Sequence, residues 1–266
     1  MRAALVTGAS SGIGAASAVR LAAAGWRVFA GVRRARDAPA GTEEILLDIT
    51  DEDQVRAAAA RIEELHGLVN NAGIALAMPL EFIPLDELRR QLEVNVIGQV
   101  AVTQAFLPQL RRTRGRIVFV GSIAGRSALP FLGPYAASKH ALEAIADTLR
   151  LELGPFGVAV SLVQPGTIKT PIWIKSATVA DALANGAPAE FADLYGKRIA
   201  AFREVALRRG AKGASAEEVA RVVEEALTME RPRTRKLVGL DAKLRASVER
   251  LPDRLRDRVY ERTLLR

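Results

Sequence analysis

Short, continuous apolar runs alternate with helix-patterned stretches along almost the whole chain, and no other feature narrows the possible folds as much. Runs at 2–7, 28–32, 45–47, 68–70, 116–120, 158–163 and 236–238 read as strands. Stretches at 13–24, 52–65, 86–112, 135–153 and 216–229 read as helices, with Asp51 as a candidate N-cap of the second. A strand that is apolar at every position is covered on both faces, and helical crossovers between such strands make them parallel. The pattern predicts one α/β domain: a doubly wound parallel sheet with helices on both faces. In the stretch 86–112, Leu88, Leu92, Val96 and Val100 recur every fourth residue and predict one long helix. The second and third strands are joined by a short segment containing Pro39, which leaves room for a loop rather than a crossover helix. Residues 171–215 have weak periodicity broken by Ala, Gly and Pro, and are expected to form a mobile lid.

Composition excludes several chemistries. The 266 residues are 49% apolar and contain no cysteine, so there is no thiolate nucleophile, disulfide framework or cysteine-ligated metal. Two histidines, His66 and His140, are too few for a histidine-rich centre, and no metal is expected; both are read as packing or capping residues. No apolar run approaches the roughly 20 residues of a spanning helix, and the N-terminus has no secretory pattern, so a soluble, cytoplasmic chain is expected. The net charge of +8 is concentrated: residues 231–266 carry +7 and the remainder +1. A nearly neutral body gives no reason to expect a nucleic-acid partner. Residues 1–240 are assigned to the main domain and 241–266 to a basic extension. In that extension Leu240, Leu244, Val248, Leu251, Leu255 and Val259 predict two short amphipathic helices around Pro252. Docking on the protein's own body is the first reading of this tail; closing a neighbour's site and peripheral membrane contact follow.

Three motifs carry chemistry. Thr7-Gly8-Ala9-Ser10-Ser11-Gly12-Ile13-Gly14 lies between the first strand and its helix. Glycines there let the backbone approach a pyrophosphate, and the helix N-terminus supplies free N–H groups. Asn70-Asn71-Ala72-Gly73 closes the fourth strand at the carboxyl edge of the sheet, where such folds bind ligands. Tyr135-Ala136-Ala137-Ser138-Lys139 puts a phenol and an ammonium on one helix face, preceded by Ser122 just after the fifth strand. An ammonium beside a phenol stabilises the phenolate, which suits proton transfer to or from an alcohol.

In order and spacing, these motifs together with Asn95 and Pro165-Gly166 resemble the short-chain dehydrogenase/reductase family, over about residues 2–240. The region resembles members acting on steroids, retinoids and similar hydrophobic alcohols. The resemblance implies a single-domain Rossmann sheet of about seven strands and residue roles. Tyr135 would be the general acid in reduction and base in oxidation. Lys139 would lower its pKa and hold the nicotinamide ribose, Ser122 would polarise the carbonyl, and Asn95 would hold a water linking Lys139 to a proton relay. Gly8, Ser10, Ser11, Gly12, Ile13 and Gly14 would line the pyrophosphate and ribose, with Asp48 and Ile49 at the adenine edge. Asn71, Ala72 and Gly73 would lie along the adenosine ribose, and Pro165, Gly166, Ile168 and Thr170 at the carboxamide end. The resemblance also implies a homodimer or homotetramer built on the helices at 86–112 and 135–153.

The end of the second strand reads Gly31-Val32-Arg33-Arg34-Ala35-Arg36-Asp37. An NAD enzyme wants a carboxylate there and an NADP enzyme wants cations. Arg33 and Arg34 point to NADP(H); the other reading leaves them solvated, with Asp37 serving NAD. The segments expected around the nicotinamide are apolar: Ile74, Leu76 and Met78; Leu129, Phe131 and Leu132; Ile172, Trp173 and Ile174. Of the cations only Lys175 is placed to meet a substrate anion, so a lipophilic ketone or secondary alcohol is expected. The rival reading, a non-catalytic NADP(H) sensor that regulates a partner, would fit a substitution at Ser122, Tyr135 or Lys139, and all three are intact.

Overall fold

The computed structural model describes residues 1–264. Seven strands form one parallel sheet: β1 (Ala3–Thr7), β2 (Arg27–Val32), β3 (Glu43–Leu46), β4 (Gly67–Asn70), β5 (Arg116–Val120), β6 (Ala159–Pro165) and β7 (Arg235–Val238). Their order is β3-β2-β1-β4-β5-β6-β7. Register aligns Leu5 with Phe29 and Leu68, and Leu68 with Ile117. That row faces α2 (Glu52–Arg61), α4 (Gly98–Thr113) and α5 (Gly133–Leu153), through Val55, Phe106 and Leu142. Alternate residues, Val6, Ala30, Val69 and Val118, face α1 (Gly12–Ala23) and α8 (Ala216–Thr228), through Leu21, Val219 and Val223. Two-sided burial explains why the strands read as unbroken apolar runs. The link from β2 to β3 contains no helix, as its length predicts. The connections leave β1 and β4 in opposite directions, so a crevice opens at their carboxyl ends.

The expected helix over 86–112 is broken. α3 (Leu85–Leu92) passes through a π-helical turn, Glu93–Ile97, into α4. The turn forms where Asn95 is pulled inward. Its Oδ1 accepts from Ile74 N (2.8 Å) and its Nδ2 donates to Ile74 O (2.9 Å) and Ser138 Oγ (3.0 Å). Around the turn the fully buried positions are consequently polar (Gln91, Asn95, Gln99, Thr103), with apolar burial resuming at Val102, Phe106 and Leu110, while Leu88, Leu92, Val96 and Val100 are only half-buried. Side-chain amides that must reach the backbone around Ile74 win the inward face over aliphatic residues.

Residues 171–215 are mostly helical: α6 (Ile172–Asn185) and α7 (Ala189–Lys212). Their Pro and Gly residues are boundaries, with Pro188 capping the start of α7 and Gly213 its end. Arg203 pairs with Asp181 between the two helices. Tyr195 donates to Glu81 (2.7 Å), and Phe82 and Phe131 meet α7 edge-on at Phe191, Tyr195 and Phe202. After β7 the chain forms α9 (Leu240–Val248) and α10 (Asp253–Leu264). Both helices dock on the body: Asp241 accepts from Thr167 N (2.6 Å), Arg245 donates to Ser127 O (3.0 Å) and Tyr260 bonds Ser127 Oγ (2.9 Å). Among the described residues no helix is long and apolar enough to cross a membrane.

Candidate active site

The glycine loop is shaped by two close approaches. Gly8 has φ +64° and lies against Ala72, and a Cβ on Gly14 would overlap Gly8 O and Asn71 Nδ2. Asn71 Nδ2 donates to Thr7 O (2.9 Å), while Thr7 Oγ1 accepts from Asn71 N and Ala72 N, both at 3.0 Å. β1 and β4 are thus locked together at the crevice, with Thr7 as the clamp. Ser11 caps α1 without a side-chain bond to the helix, which leaves the first-turn N–H groups facing the crevice. Gly12 packs on Thr170. A glycine cradle, open helix donors and a cleft of about 430 Å³ fit a dinucleotide pyrophosphate.

The cleft is lined by Gly8, Ser10, Ser11, Gly12, Ile13 and Arg33 along its nucleotide end. Asp48, Ile49, Asn71, Ala72 and Gly73 follow, then Ser122, Tyr135 and Lys139, then Pro165, Gly166, Ile168, Thr170, Ile172 and Trp173. Gly14 and Asn95 lie outside the lining, Gly14 under the loop and Asn95 behind Gly73. Both Nδ2 hydrogens of Asn95 are bonded to protein, so its side chain has no free donor for the expected water. Arg34 is exposed beside Arg33, outside the lining. Among the described residues, neither arginine has a carboxylate within ion-pair distance.

A second cavity of about 890 Å³ opens on the other side of Tyr135. Ser122, Tyr135, Gly166 and Trp173 line both spaces, so the phenol sits at their junction. Its walls include Leu129, Leu132, Trp173, Phe202, Val205 and Leu244. Phe131 is absent from both linings. Its backbone sits at φ +65°, held by Met78 N donating to its carbonyl (2.8 Å), and its ring packs on Tyr195 and Phe202. Leu76 and Met78 are core residues and Ile174 is 66% exposed, so these three belong to no cavity wall. Lys175 lines the nucleotide cleft, and the cations of the second cavity are Arg208, Arg209, Lys212 and Arg245. The sequence reading missed these four.

Ser122 Oγ accepts from Ala124 N (3.1 Å) and Lys139 Nζ donates to Val120 O (3.0 Å), 5.7 Å from the centre of the Tyr135 ring. Burial raises the Tyr135 pKa, against lowering by the Ser122 hydrogen bond and the Arg245 charge. Burial lowers Lys139 to about 8. The expected lowering of the phenol by Lys139 is therefore not the leading effect. Desolvation dominates both groups, and the opposing cation comes from α9. The lone histidines are peripheral: His66 Nδ1 accepts from Ala3 N (3.2 Å) and His140 bonds Ala136 O (2.9 Å).

Residues 2–180 match the family model described as short chain dehydrogenase. The chain belongs to the short-chain dehydrogenase family. It is 37% identical to the NADPH-dependent 3-dehydrocapnine reductase of Ornithobacterium rhinotracheale, across 99% of this chain and 98% of that protein. It is 38% identical to retinol dehydrogenase 5 of Mus musculus, across 90% of this chain and 81% of that protein. Two solved short-chain dehydrogenases superpose closely. One from Burkholderia cenocepacia J2315, in complex with NADP, has TM-score 0.76 and 29% identity, covering 99% of each chain. One from Burkholderia phymatum, in complex with NAD, has TM-score 0.74 and 27% identity, covering 89% of this chain and 88% of that one. This short-chain dehydrogenase is accordingly an oxidoreductase with a nicotinamide dinucleotide fold; its glycine cradle and Lys139 line the first cleft, and Ser122 and Tyr135 lie where the two cavities meet.

Proposed function

We propose that the protein is an NADP(H)-dependent oxidoreductase acting on a hydrophobic carbonyl or secondary alcohol, with Tyr135 as acid and base. The observation that carries this reading is the position of Ser122 and Tyr135, which line both the nucleotide cleft and the apolar cavity. When bound, the nicotinamide supplies or accepts hydride. In reduction, Ser122 Oγ donates a hydrogen bond to the substrate oxygen and Tyr135 Oη delivers the proton. In oxidation the same phenol, deprotonated, takes the proton back. Lys139 holds the ribose side of the cleft and supplies positive charge beside the phenol. Burial of all three, each 8% exposed or less, excludes bulk water from the transfer.

Arg33 and Arg34 support the choice of NADP(H), since unpaired guanidinium groups at the end of β2 suit a 2′-phosphate. The NADPH-dependent relative and the NADP-bound neighbour point the same way; the NAD-bound neighbour shows that the fold also serves NAD. Arg33→Ala combined with Arg34→Ala should weaken NADPH binding by about 10- to 100-fold, the loss of charge-assisted bonds, and NADH binding far less. Fluorescence titration with both nucleotides measures it. An equal loss for both would refute the phosphate contact.

The half-buried stripe Leu88, Leu92, Val96 and Val100 also supports a homodimer or homotetramer built through α3, α4 and α5. Light scattering should give a multiple of the 28.6 kDa chain mass, and Leu92→Glu should reduce it. A monomeric wild type would dismiss this assembly.

A further inference from the structure

The cavity beyond Tyr135 is apolar in its walls yet rich in cations. α7 runs from Phe202, Val205 and Ala206 to Arg208, Arg209 and Lys212, all lining the cavity. The spacing 202, 205, 208/209, 212 is that of a single helix face, apolar at one end and cationic at the other. From Val205 to Lys212 that face spans roughly 10 Å. A fourth cation, Arg245 on α9, enters from the tail. It is half-buried and held by Ser127: Nη2 donates to the carbonyl at 3.0 Å and to Oγ at 2.9 Å. Among the described residues no carboxylate lies within ion-pair distance of any of the four.

The acids near this set neutralise it only in part, Asp241 and Glu249 acting on Arg245 from beyond ion-pair distance. Glu218 accepts from Ser215 N (3.1 Å) in the cap of α8, and Asp241 accepts from Thr167 N (2.6 Å). Both carboxylates are committed to backbone donors. A partly buried guanidinium with no ion-paired carboxylate is costly, and an anion entering the cavity would lower that cost. A purely lipophilic substrate would instead leave Arg245 unpaired and desolvate it further.

We propose that the substrate of this site is an amphiphile: a ketone or secondary alcohol on an apolar chain that also carries an oxyanion, namely a carboxylate, sulfonate or phosphate. Arg245 and the α7 cations receive the oxyanion, and the apolar walls receive the chain. This inference rests on the proposed reaction at Ser122 and Tyr135 and adds the substrate's charge.

A matched pair tests it: 2-decanone and 9-oxodecanoate, each with NADPH. The wild type should favour the acid in kcat/KM by about tenfold or more, the scale of one charge-assisted contact. The variant Arg208→Gln/Arg209→Gln/Lys212→Gln, confined to exposed side chains, should lower the acid-to-neutral ratio by about the same factor, chiefly through KM. Arg245→Gln should do so as well; if its loss disturbs the tail, the α7 variant alone decides. A wild-type ratio near one, or a ratio that the α7 variant leaves unchanged, would overturn the proposal. Calorimetric titration of the enzyme–NADPH complex separates this outcome from failure of the reaction itself. Decanoate, decane-1-sulfonate and decyl phosphate should each bind more tightly than 1-decanol, and their order identifies the oxyanion. Preferential anion binding without turnover of either ketone would leave the charge assignment standing and remove the reaction. Turnover of both ketones with no anion preference would do the reverse.

Discussion

Replacing Tyr135 with Phe should lower turnover by about 100- to 10,000-fold, the range for loss of a positioned proton donor. The nucleotide cleft should barely register the change, because the substitution removes one oxygen and leaves a ring that is already 8% exposed. The affinity for NADPH should therefore stay within about twofold, and the loss should fall on kcat. The pH dependence supplies a second reading. Burial raises the phenol's pKa, so the acid form persists to higher pH than in a free tyrosine. Reduction uses the acid form and should hold level through neutrality before declining in alkali. Oxidation uses the conjugate base and should climb with pH. Both dependences should be measured in wild type and variant at saturating nucleotide. Turnover within about tenfold of wild type would remove Tyr135 as the donor and shift attention to water reaching Ser122.

The placement of Tyr135 at the cleft was legible in the sequence because it depends on local geometry. A glycine loop after a strand, or a tyrosine and lysine four apart, fixes backbone or face within one element. Asp51 is a parallel case, since its carboxylate accepts from Gln54 N as an N-cap should. The strands and their parallel arrangement followed from the unbroken apolar runs for the same reason. Features that depend on distant pairing were not legible. Arg245 is one of twelve cations in residues 231–266, and nothing local marks it as the one that reaches Ser127, 118 residues away. The stripe Leu88-Leu92-Val96-Val100 misdirected the reading because the buried side of α3 and the start of α4 is taken by amides that bond the backbone at Ile74 and Ala72, and α4 fills core volume only from Val102 onward. In 171–215 the prolines and glycines looked like breaks in a loop, whereas they delimit two helices. Punctuation by Pro and Gly reports where elements end, and leaves open whether there are elements between them.

Lys139→Met should stabilise the nucleotide-free protein at neutral pH while abolishing useful turnover. The ammonium is 5% exposed, its one protein bond is to Val120 O at 3.0 Å, and among the described residues it has no carboxylate partner. Burial holds its pKa at about 8 against 10.5 for the free side chain. Between those two values the unfolded chain binds more protons than the folded one, so stability climbs with pH across that window. Below about 8 both states are charged, and the folded protein carries the full penalty. Converting the shift at 1.36 kcal/mol per unit and deducting about 1 kcal/mol for the Val120 bond leaves a gain on the order of 2 kcal/mol for methionine. Thermal denaturation at pH 7 should show it as a rise of roughly 4–6 °C, shrinking as the pH approaches 10 and the lysine of the wild type discharges. A variant less stable than wild type at pH 7, with no pH-dependent difference, would mean that the ammonium is a structural strut and that its bond to Val120 outweighs desolvation. If the gain appears together with lost turnover, the buried charge is there for the reaction at the expense of the fold. The same logic reaches Arg245. Neither cation beside the phenol has an ion-paired carboxylate, although Asp241 and Glu249 act on Arg245 from a distance, and on the proposed reading the nucleotide and an anionic substrate would supply the missing partners.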